Sequence, residues 1–580
     1  MTETTATTEP GAPERSTPIG PYPHQPLEVA AWDPATVEVA ARVAALVSDQ
    51  LPAVVVEHVG SSAVPGLAGK NIVDLGVDAR PDEIGAIRAV LRDLGFVEDR
   101  GPRAFPPTRP LFLGAIDHDG RTHRIHLHVH PRGNRMWGRE HAQKLAFRDA
   151  LRADAALRDD YARRKLEIVG AGVNNAVRYS MAKTEWIRST LERLGVASPP
   201  IEPPAAIAIL GGGQLGRMLA LAARPLGYRI AVLDPDPACP ARAVADGFVE
   251  AGYADVDAAL RLAEGADIVT YELEHLAVDV AARLDWEWPV RPWAFTLAVT
   301  QDRLEERRAI EKEGIPVAPW RAVADEAELW AAIEELGLPV RLKAARGGYD
   351  GRSQVRIASP DDAIGALSSL GRPPGEAALV ERELAFEAEL SVIFARDPSG
   401  RTAALPVARN RHDAGILVES VVPAGISSAV ETEARRIVVD LAEALDVVGT
   451  LTAELFLMPD GSLVVNELAP RVHNSGHWSI EAAETSQFEQ HVRAICGLPL
   501  GSTALRSPAA TVNLLGTGEE RDARPAGVAA ALAMPRVHVH LYDKRRVFER
   551  RKMGHVTALG ETTDEALARA REAAGAVWWA

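Results

Sequence analysis

The sequence predicts a protein of several mixed α/β domains that divides near residue 200. Its 580 residues are enough for roughly four domains of about 150 residues each. Closely spaced prolines in residues 196–206 favour extended backbone between two ordered units. Beyond them, an apolar strand leads through a glycine-rich loop into a helix and a second strand, and a later hairpin at 453–478 carries two carboxylates.

Composition limits the classes of function. A formal net charge of −16 argues against a broad polyanion-binding surface, so no nucleic-acid partner is expected. Cys239 and Cys496 are too few for a disulfide framework or a cysteine zinc site. No long apolar span occurs, and the N-terminus lacks the basic and apolar regions of a signal peptide, which predicts a soluble cytoplasmic protein with no membrane partner. Residues 1–20, rich in Thr, Pro and Glu, are predicted to be a disordered tail.

Four segments of the N-terminal part resemble those of a known protein family. They are EHVGSSAVPGLAGKNIVDLGV at 57–77, RIHLHVH at 124–130, LAFRDALR at 145–152 and YSMAKTEWI at 179–187. Together they resemble the GrpB family, which implies a nucleotidyltransferase-like α/β domain, here assigned to residues 21–195. Active nucleotidyltransferases follow a Gly-Ser turn with two carboxylates separated by one residue. Gly60, Ser61 and Asp74 are present, but Gly76 stands at the position of the second acid, so we assign no reaction to this domain.

Polar residues of the same domain remain candidates for binding. His58, Lys70, Asp74, His126 and His128 are expected at one end of the sheet. Strand alternation puts His126, His128 and His130 on one face, a possible metal-ligand arrangement, although histidines on half-exposed strands are more often structural. Lys70 with Ser61 and Ser62 forms either a phosphate site or an ordinary capping turn.

After the linker, the sequence has a dinucleotide-type fingerprint. Gly211, Gly213 and Gly216 form G-x-G-x-x-G between two predicted strands, and Asp234 follows 23 residues beyond the first glycine. Glycines allow close backbone approach to a pyrophosphate, and the acid suits a ribose hydroxyl. From this motif alone, two interpretations are equally open: the β-α-β unit binds a nicotinamide dinucleotide, or it binds a ligand that is not a nucleotide.

The hairpin at 453–478 indicates a metal-nucleotide site. Glu454 lies in one apolar strand and Glu467 in the next, and a Pro-Asp-Gly turn joins them. Two neighbouring carboxylates in an apolar sheet repel each other unless a cation neutralises them, and Mg²⁺ prefers oxygen ligands. The strand end also carries a dense group of polar residues: Asn466, Arg471, His473, Asn474, Ser475 and His477.

Residues from about 205 to 580 resemble the PurK family of ATP-grasp enzymes, the 5-(carboxyamino)imidazole ribonucleotide synthases of purine biosynthesis. The motifs that carry the resemblance are GGGQLGRM at 211–218, TYELEH at 270–275, QDRLEERRAIEKEGIPVAP at 301–319, GGYDGRSQ at 347–354, NELAPRVHNSGHW at 466–478, TSQFEQH at 485–491 and YDKRR at 542–546. The resemblance implies a Rossmann-like pre-ATP-grasp domain at 207–310, ATP-grasp lobes at 311–505 and a small C-terminal domain at 506–580.

The resemblance also implies the nucleotide-binding residues, with Mg²⁺ on Glu454 and Glu467. Arg303 and Lys343 are expected to bind phosphate, and the glycine-rich turn to close over it as a lid. Glu381, Arg382, Glu383 and Leu384 are expected at the edge of adenine, with Glu389 on the ribose. The full expected set for ATP is Arg303, Lys343, Gly348, Tyr349, Asp350, Gly351, Arg352, Ser353, Gln354, Glu381, Arg382, Glu383, Leu384, Glu389, His412, Asn466 and Glu467.

For the second substrate, the resemblance implies Gln214, Leu215 and Glu272 beside aminoimidazole ribonucleotide, with Lys544 and Arg551 on its 5′-phosphate. Arg352, Arg471, His473 and Asn474 are expected to hold bicarbonate and carboxyphosphate in an ATP-dependent carboxylation. The small-molecule partners are thus ATP, bicarbonate and the ribonucleotide, and the family is commonly homodimeric. The alternatives are another ATP-grasp ligase, such as the formate-using glycinamide ribonucleotide transformylase, or a GrpB-type nucleotide-binding or nucleotidyl-transferring protein with a regulatory ATP-grasp half.

Two positions depart from the family pattern. Ser353 stands where the glycine-rich loop usually has a third glycine, and Arg307 replaces a usual lysine in the helix after QDRL. Neither change removes a charge. We expect Ser353 to stiffen the lid rather than to abolish activity.

Overall fold

The computed structural model describes residues 17–100, 105–135, 137–173, 176–347, 353–371 and 375–580. The chain forms two compact units, residues 1–197 and 198–580, and their boundary falls inside the proline-rich stretch. Ile19 is buried in the core of the first unit, and Gly20 pairs with Ala115. The ordered part of the first unit therefore begins before residue 21, and the tail boundary predicted at residue 20 is too late.

The first unit is one mixed sheet with helices. Its strands are β1 (Val56–Val59), β2 (Val73–Ala79), β3 (Val97–Glu98), β4 (Leu111–His118) and β5 (Arg121–Pro131). Its helices are α1 (Ala35–Gln50), α2 (Ile84–Asp93), α3 (Glu140–Ala153), α4 (Ala155–Gly170), α5 (Ala176–Met181) and α6 (Thr184–Arg193), with a 3₁₀ turn at Ser61–Ala63. The strand order is β1-β2-β5-β4-β3, with β2 and β5 parallel and the other pairs antiparallel.

Alternation along the two central strands separates a core face from a polar face. Val73, Leu75 and Val77 of β2 pack with α1 and α2 in the main core, as do the odd-numbered apolar residues of β5. The even-numbered residues of both strands therefore share the opposite face. The prediction that His126, His128 and His130 lie on one face is confirmed, because each follows the alternation of β5 and neighbouring rings are 6.3 Å and 5.9 Å apart.

The second unit begins with a small parallel sheet. Its elements are β6 (Ala206–Leu210), α7 (Gln214–Ala223), β7 (Arg229–Asp234), β8 (Gly247–Glu250), α8 (Val256–Glu264), β9 (Ile268–Tyr271), α9 (Val278–Leu284) and α10 (Ala294–Thr300), with 3₁₀ turns at Arg224–Leu226 and Arg242–Val244. The order β8-β7-β6-β9 is parallel throughout. This is the Rossmann-like piece that the β-α-β pattern predicts.

A four-stranded antiparallel sheet, ordered β10-β13-β11-β12, follows. Its elements are α11 (Arg303–Lys312), β10 (Trp320–Val323), α12 (Glu326–Leu336), β11 (Val340–Ala344), β12 (Gln354–Ile357), α13 (Pro360–Ala363), α14 (Ala366–Ser369) and β13 (Ala378–Arg382). Asp302 caps α11, since its carboxylate accepts from the backbone N–H groups of Leu304 and Glu305 at 3.0 and 3.3 Å. The cap fixes Arg303 at the first turn of that helix.

The remaining elements build a larger sheet. They are β14 (Ala388–Arg396), β15 (Thr402–Ala404), β16 (Ala408–Asp413), β17 (Ile416–Val422), α15 (Ser428–Ala444), β18 (Gly449–Leu457), β19 (Leu463–Ala469), α16 (Ser479–Ala482), α17 (Gln487–Cys496), β20 (Ala509–Leu515), β21 (Arg521–Asp522), β22 (Pro525–Ala526), α18 (Val528–Leu532), β23 (Val537–Leu541), β24 (Arg546–Val547), β25 (Lys552–Leu559), α19 (Thr563–Ala576) and β26 (Trp578–Trp579). A 3₁₀ turn lies at Asn474–Gly476.

The large sheet crosses the domain boundary proposed at residue 505. Its order is β19-β18-β14-β16-β17-β20-β25-β23, with β15 beside β14. Strands β20, β25 and β23 belong to the segment assigned to the C-terminal domain, yet β20 pairs directly with β17. The C-terminal segment therefore extends the nucleotide-side sheet, and it adds two small two-stranded sheets, β21-β24 and β22-β26.

Candidate active site

Glu454 and Glu467 face each other across the β18–β19 hairpin. They are direct partners in the antiparallel register, and a bulge follows at Glu454/Leu455. The turn is held by Asp460, whose side chain accepts from the backbone N–H of Ser462 at 2.9 Å. Burial and the charge of Glu467 raise the pKa of Glu454 to about 7. The two predicted carboxylates are thus adjacent, and the positive charges of His412 and Lys552 only partly offset the effect of burial on Glu454.

Two cations approach this pair from the four-stranded sheet and from α11. Arg303 Nη1 lies 3.2 Å from Glu467 Oε2, and Lys343 of β11 lies 2.5 Å from Glu381 Oε1. Burial by itself would raise the pKa of Glu467, but the positive charges of Arg303 and Lys343 outweigh it and lower that pKa. The site therefore alternates fixed positive and negative groups, which suits a metal–phosphate ligand.

Arg307 is a structural cation behind the site. It is fully buried and reaches both Glu306, at 3.1 Å, and Glu381, at 3.0 Å. Burial opposes ionisation of Glu381, yet Lys343 and Arg307 together lower its pKa to about 2. The forked guanidinium can serve two carboxylates at once, which a lysine ammonium does less well. This explains in physical terms how the chain accommodates arginine where the family pattern has lysine.

These groups open onto a cavity of about 640 Å³ between the four-stranded antiparallel sheet and the large sheet. Residues expected from the sequence that line it are Arg303, Lys343, Gln354, Glu381, Arg382, Glu383, Leu384, Glu389, His412, Glu454, Asn466, Glu467 and His473. Lining residues that the sequence reasoning missed are Ala318, Arg341, Phe386, Ala414, Gly415, Leu417, Phe456 and Lys552. The volume is that of an ordinary small-molecule pocket.

Some of the missed residues carried a usable signal. Arg341 lies two residues before Lys343 on β11, and side chains two residues apart on a strand point to the same face of the sheet. Phe386 and Phe456 stack with ring centroids 4.4 Å apart, but nothing in their local sequence distinguishes them from core residues. Lys552 begins β25, far along the chain, and reaches the cavity only because the C-terminal strands extend the large sheet.

A histidine–carboxylate pair lies on the cavity wall formed by β14 and β16. His412 Nδ1 is 2.5 Å from Glu389 Oε2. Burial lowers the pKa of His412, but the hydrogen bond to Glu389 and the charge of Glu454 more than offset it, so the net pKa is raised. Both residues were expected on the nucleotide side, and the strand pairing of Glu389 with Asn410 explains why they meet.

The residues expected to hold bicarbonate separate into two groups. His473 Nε2 lies 3.5 Å from Glu454 Oε1, and its Nδ1 lies 2.8 Å from Ser475 Oγ. Arg471 instead pairs with Glu274 at 2.8 Å and does not line the cavity. Asn474 is buried, and neither atom of its amide has a hydrogen-bond partner among the described residues. His473 thus joins the carboxylate pair, whereas Arg471 lies towards the Rossmann-like piece.

Protein carboxylates occupy the glycine loop after β6. Glu272 accepts from the backbone N–H of Gly213 at 2.5 Å and of Gly216 at 2.6 Å, and Asp234 accepts from Gly212 at 2.7 Å. Gly211 has a φ of +106°, and a Cβ there would lie 2.5 Å from Glu272 Cγ. Because these amides already bind Glu272 and Asp234, they are unavailable to a pyrophosphate, and the dinucleotide alternative is disfavoured.

Of the two C-terminal residues expected to bind a phosphate, Lys544 contacts the start of the helix that follows the same loop. Lys544 Nζ donates to Gln214 Oε1 at 2.6 Å. Leu215 is buried at the start of α7. The Arg551 guanidinium lies over the Phe548 ring, 5.1 Å from its centroid. The residues expected on the ribonucleotide side are therefore contributed by both ends of the second unit.

The predicted lid falls largely on Gly348, Tyr349, Asp350, Gly351 and Arg352, which lie outside the described residues. Gly347 at the start of the turn and Ser353 and Gln354 at its end are described, and Gln354 pairs with Lys343 in the sheet. Ser353 has a φ of +57°, a left-handed conformation in which glycine costs less than other residues. A glycine would adopt this conformation at lower cost than Ser353 does.

Sequence comparisons agree with this arrangement. The ribonucleotide synthetase preATP-grasp domain matches residues 205–301, the ATP-grasp domain 308–488 and the phosphoribosylaminoimidazole carboxylase C-terminal domain 509–569. Residues 26–193 match the GrpB protein family, in agreement with the resemblance of the N-terminal segments. Across the described residues, none of the helices is both long and apolar enough to cross a membrane.

The fold and the carboxylate-lined cavity define an ATP-grasp ligase. The N5-carboxyaminoimidazole ribonucleotide synthase of Brucella melitensis is 44% identical over 365 residues, which are 63% of this chain and 98% of that protein. The Bacillus subtilis enzyme of the same name is 41% identical over 368 residues, 63% of this chain and 94% of its own length. The chain belongs to the N5-carboxyaminoimidazole ribonucleotide synthase family, with an additional GrpB domain before it.

Two solved structures extend the comparison. The ADP complex of an N5-carboxyaminoimidazole ribonucleotide synthetase has a TM-score of 0.61 at 42% identity, covering 65% of this chain and 98% of that one. The Aspergillus clavatus synthase, in complex with ADP and 5-aminoimidazole ribonucleotide, has a TM-score of 0.59 at 31% identity, covering 64% and 98%. The resemblance to the family that was inferred from the motifs is confirmed.

Proposed function

We propose that the second unit carboxylates 5-aminoimidazole ribonucleotide with ATP and bicarbonate, giving 5-(carboxyamino)imidazole ribonucleotide, ADP and phosphate. The observation that supports it most directly is the cavity in which Glu454 and Glu467 lie beside Arg303 and Lys343. The relatives' names and their ADP and ribonucleotide complexes agree with it. These substrates belong to purine biosynthesis, and we accordingly place the reaction in the cytoplasm.

The residues present fit a Mg²⁺ ion. Glu454 and Glu467 offer adjacent, half-buried carboxylates, an all-oxygen donor set of the kind that Mg²⁺ prefers. When bound, Mg²⁺ would neutralise phosphate charge during phosphoryl transfer. We assign the ion to these two residues.

The phosphoryl step requires positioning and charge neutralisation more than a protein nucleophile. A bicarbonate oxygen attacks the γ-phosphorus, the bond from that phosphorus to the bridging oxygen breaks, and ADP leaves with the electron pair. We assign Arg303 and Lys343, which form ion pairs with Glu467 and Glu381, to the phosphate oxygens. The product of this step is carboxyphosphate.

The carboxyl transfer follows on the side of the glycine loop. The exocyclic amine attacks the carboxyl carbon of carboxyphosphate, the carbon–oxygen bond to phosphate breaks, and the amine loses a proton. We assign Gln214, Glu272, Lys544 and Arg551 to the ribonucleotide, and His473, Arg471 and Asn474 to the carboxyphosphate side, with Arg352. The nucleotide-side assignment of Glu381 to Leu384, Glu389 and His412 is part of the same proposal.

The test measures ADP release and incorporation of labelled bicarbonate by the full chain with Mg²⁺ and ATP. We expect aminoimidazole ribonucleotide to stimulate both strongly and glycinamide ribonucleotide with formate to stimulate neither. Stimulation by glycinamide ribonucleotide would replace the proposal with the transformylase alternative. ATP binding with no stimulation by any amine would favour a binding module. Light scattering at working concentration tests the homodimer that we also propose; a monomer contradicts it.

A further inference from the structure

The polar face of the first unit holds a compact group of metal-type ligands outside the ATP-grasp site. Asp74 of β2 lies 3.4 Å from His126 Nδ1 and 3.9 Å from His128 Nε2, measured to the same carboxylate oxygen. One ligand atom from each of the three residues lies within 4.8 Å of the other two. Metal–nitrogen and metal–oxygen bonds are about 2.1 Å long, so ligands on one ion stand about 3 to 4 Å apart. The separations of Asp74 from the two imidazoles already suit a shared ion.

The backbone positions these three residues rigidly. Strands β2 and β5 are parallel neighbours at the centre of the sheet, with Asp74 opposite His126 and Gly76 opposite His128. Gly60, at a φ of +71°, lies close against the Asp74 side chain, because a Cβ at position 60 would be 2.5 Å from the Asp74 carboxylate oxygen. Sites on rigid strands hold their ligands more precisely than sites on loops.

Outer contacts orient the two imidazoles. The Tyr22 hydroxyl lies 2.9 Å from His126 Nε2, which leaves Nδ1 directed at Asp74. The His128 ring stacks on His130, with centroids 5.9 Å apart and planes 13° apart. A hydrogen bond to the distal nitrogen of a ligating histidine is a usual second contact of metal sites, because it fixes the tautomer.

A group of lysines lies beside these ligands. Lys165 is fully buried and donates to Ser61 Oγ at 3.3 Å and to the Ala68 carbonyl. Lys183 and Lys70 lie over the Tyr179 ring, at 4.0 Å and 5.8 Å from its centroid. Burial and mutual repulsion lower the pKa of Lys165 and of Lys183 to about 7. Sequence reasoning had placed only Lys70 near the serines.

The lysine charges lack acidic partners. Among the described residues, no carboxylate forms an ion pair with Lys70, Lys165 or Lys183, and Asp74 is the acid whose charge acts on Lys183. Gathering one buried ammonium group, Lys165, and two half-buried ones, Lys70 and Lys183, is costly unless an anion joins them. Phosphate offers several acceptor oxygens and a charge of about −2, and so matches three lysines.

We propose that the first unit binds one divalent transition-metal ion through Asp74, His126 and His128, and that a phosphate-bearing small molecule binds beside it through Lys70, Lys165 and Lys183. Two imidazoles and one carboxylate favour ions such as Zn²⁺, Co²⁺ or Mn²⁺ over Mg²⁺. The absence of a second acid at Gly76 agrees with a metal bound mainly by histidines. A Cβ at Gly76 would lie only 3.0 Å from His141 Nδ1, which leaves little room for a carboxylate side chain. His128 of β5 pairs with Gly76 and supplies the ligand at this position instead.

The first experiment measures metal binding by the full chain without nucleotide. Metal-stripped protein is titrated with Co²⁺, and bound metal and the visible absorption of imidazole-ligated Co²⁺ are recorded. We expect Asp74→Asn/His126→Gln to lose one equivalent per chain, whereas His118→Gln, in the same unit, loses none. Equal stoichiometry in the folded double variant overturns the proposal. If the double variant fails to fold, Tyr22→Phe replaces it, with about tenfold weaker binding expected and unchanged affinity contradicting the site.

The second experiment measures binding of inorganic phosphate to the Co²⁺-loaded chain by calorimetry. We expect Lys183→Gln to weaken a phosphate-binding event at least tenfold while the bound Co²⁺ stays constant. The control Arg163→Gln removes an exposed positive charge from α4, the helix that carries Lys165, and leaves the affinity unchanged. Equal affinity in Lys183→Gln and in the unsubstituted chain overturns the phosphate half of the proposal.

Discussion

Lys544 Nζ donates a hydrogen bond to Gln214 Oε1 at 2.6 Å, although the two residues are 330 positions apart in the chain. The same ammonium donates to the Lys552 carbonyl at 2.7 Å. Gln214 begins the helix after the glycine loop, and Lys544 follows the end of β23. The contact joins the first and last segments of the second unit at the proposed ribonucleotide site.

Lys544→Met should raise KM for aminoimidazole ribonucleotide while leaving KM for ATP unchanged. A charged hydrogen bond contributes about 1.5–3 kcal/mol, so we expect a rise of about 10- to 150-fold. Steady-state kinetics with each substrate varied in turn checks it. Arg545→Met, at an exposed neighbouring position, should leave both constants unchanged. An equal rise in KM for ATP would contradict the assignment of Lys544 to the ribonucleotide.

Glu467→Gln should abolish turnover and leave the fold intact. The change removes a proposed metal ligand and the carboxylate that fixes Arg303 at 3.2 Å, and we expect kcat to fall at least about 100-fold. ADP release and circular dichroism measure the two effects. Asp460→Asn, in the turn of the same hairpin, is the matched control with normal turnover. Full activity of a folded Glu467→Gln chain would rule out the metal assignment.

Arg307→Lys should destabilise the second unit. Arg307 is buried and serves Glu306 and Glu381 together. An ammonium that reaches one of them leaves the other carboxylate without its partner, at a cost of about 1–3 kcal/mol. Chemical denaturation measures the free energy of unfolding, and the exposed Arg308→Lys should change it by less than about 0.5 kcal/mol. Equal stability of the two variants would mean that a lysine satisfies both acids.

Phe456→Ala should weaken ATP binding about tenfold. The Phe386–Phe456 stack lines the cavity near the residues proposed to hold adenine, and an aromatic contact contributes about 0.5–1.5 kcal/mol beyond its buried area. Calorimetry with ATP measures the loss. Trp330→Ala removes an exposed aromatic ring from α12 and serves as the control. Unchanged ATP affinity in Phe456→Ala would place the base elsewhere in the cavity.

Asp285 should make the second unit less stable as pH rises from about 4 to about 7. Burial raises its pKa from 3.8 to about 7, so in this window the folded chain holds a proton that the unfolded chain has released, and deprotonation favours unfolding. Asp285→Asn should make the slope of unfolding free energy against pH less negative by up to about 1.4 kcal/mol per pH unit. Glu264→Gln, at an exposed position, should leave the slope unchanged, and an unchanged slope in Asp285→Asn would contradict the raised pKa.

Much of the nucleotide side could be predicted from sequence because its residues lie in short motifs with local geometry. A two-strand hairpin makes Glu454 and Glu467 neighbours wherever it occurs. The β-α-β start was likewise predictable, since β6, α7 and β7 follow from apolar strands and a glycine loop. What the glycine loop binds was not predictable, because Glu272, the acid that accepts its backbone N–H groups, comes from the end of another strand.

The sequence by itself determined the order of domains, the family of the second unit, the carboxylate pair and the shared face of three histidines. These depend on strand alternation, turns and motif spacing, which act over a few residues. Only the tertiary structure decided that Lys552 and Lys544 join sites built from much earlier segments, that Glu272 fills the glycine loop, and that Lys165 and Lys183 gather near Asp74. Contacts between residues far apart in the chain depend on which strands pair and which helices pack together. These long-range contacts leave no periodic signal in the sequence.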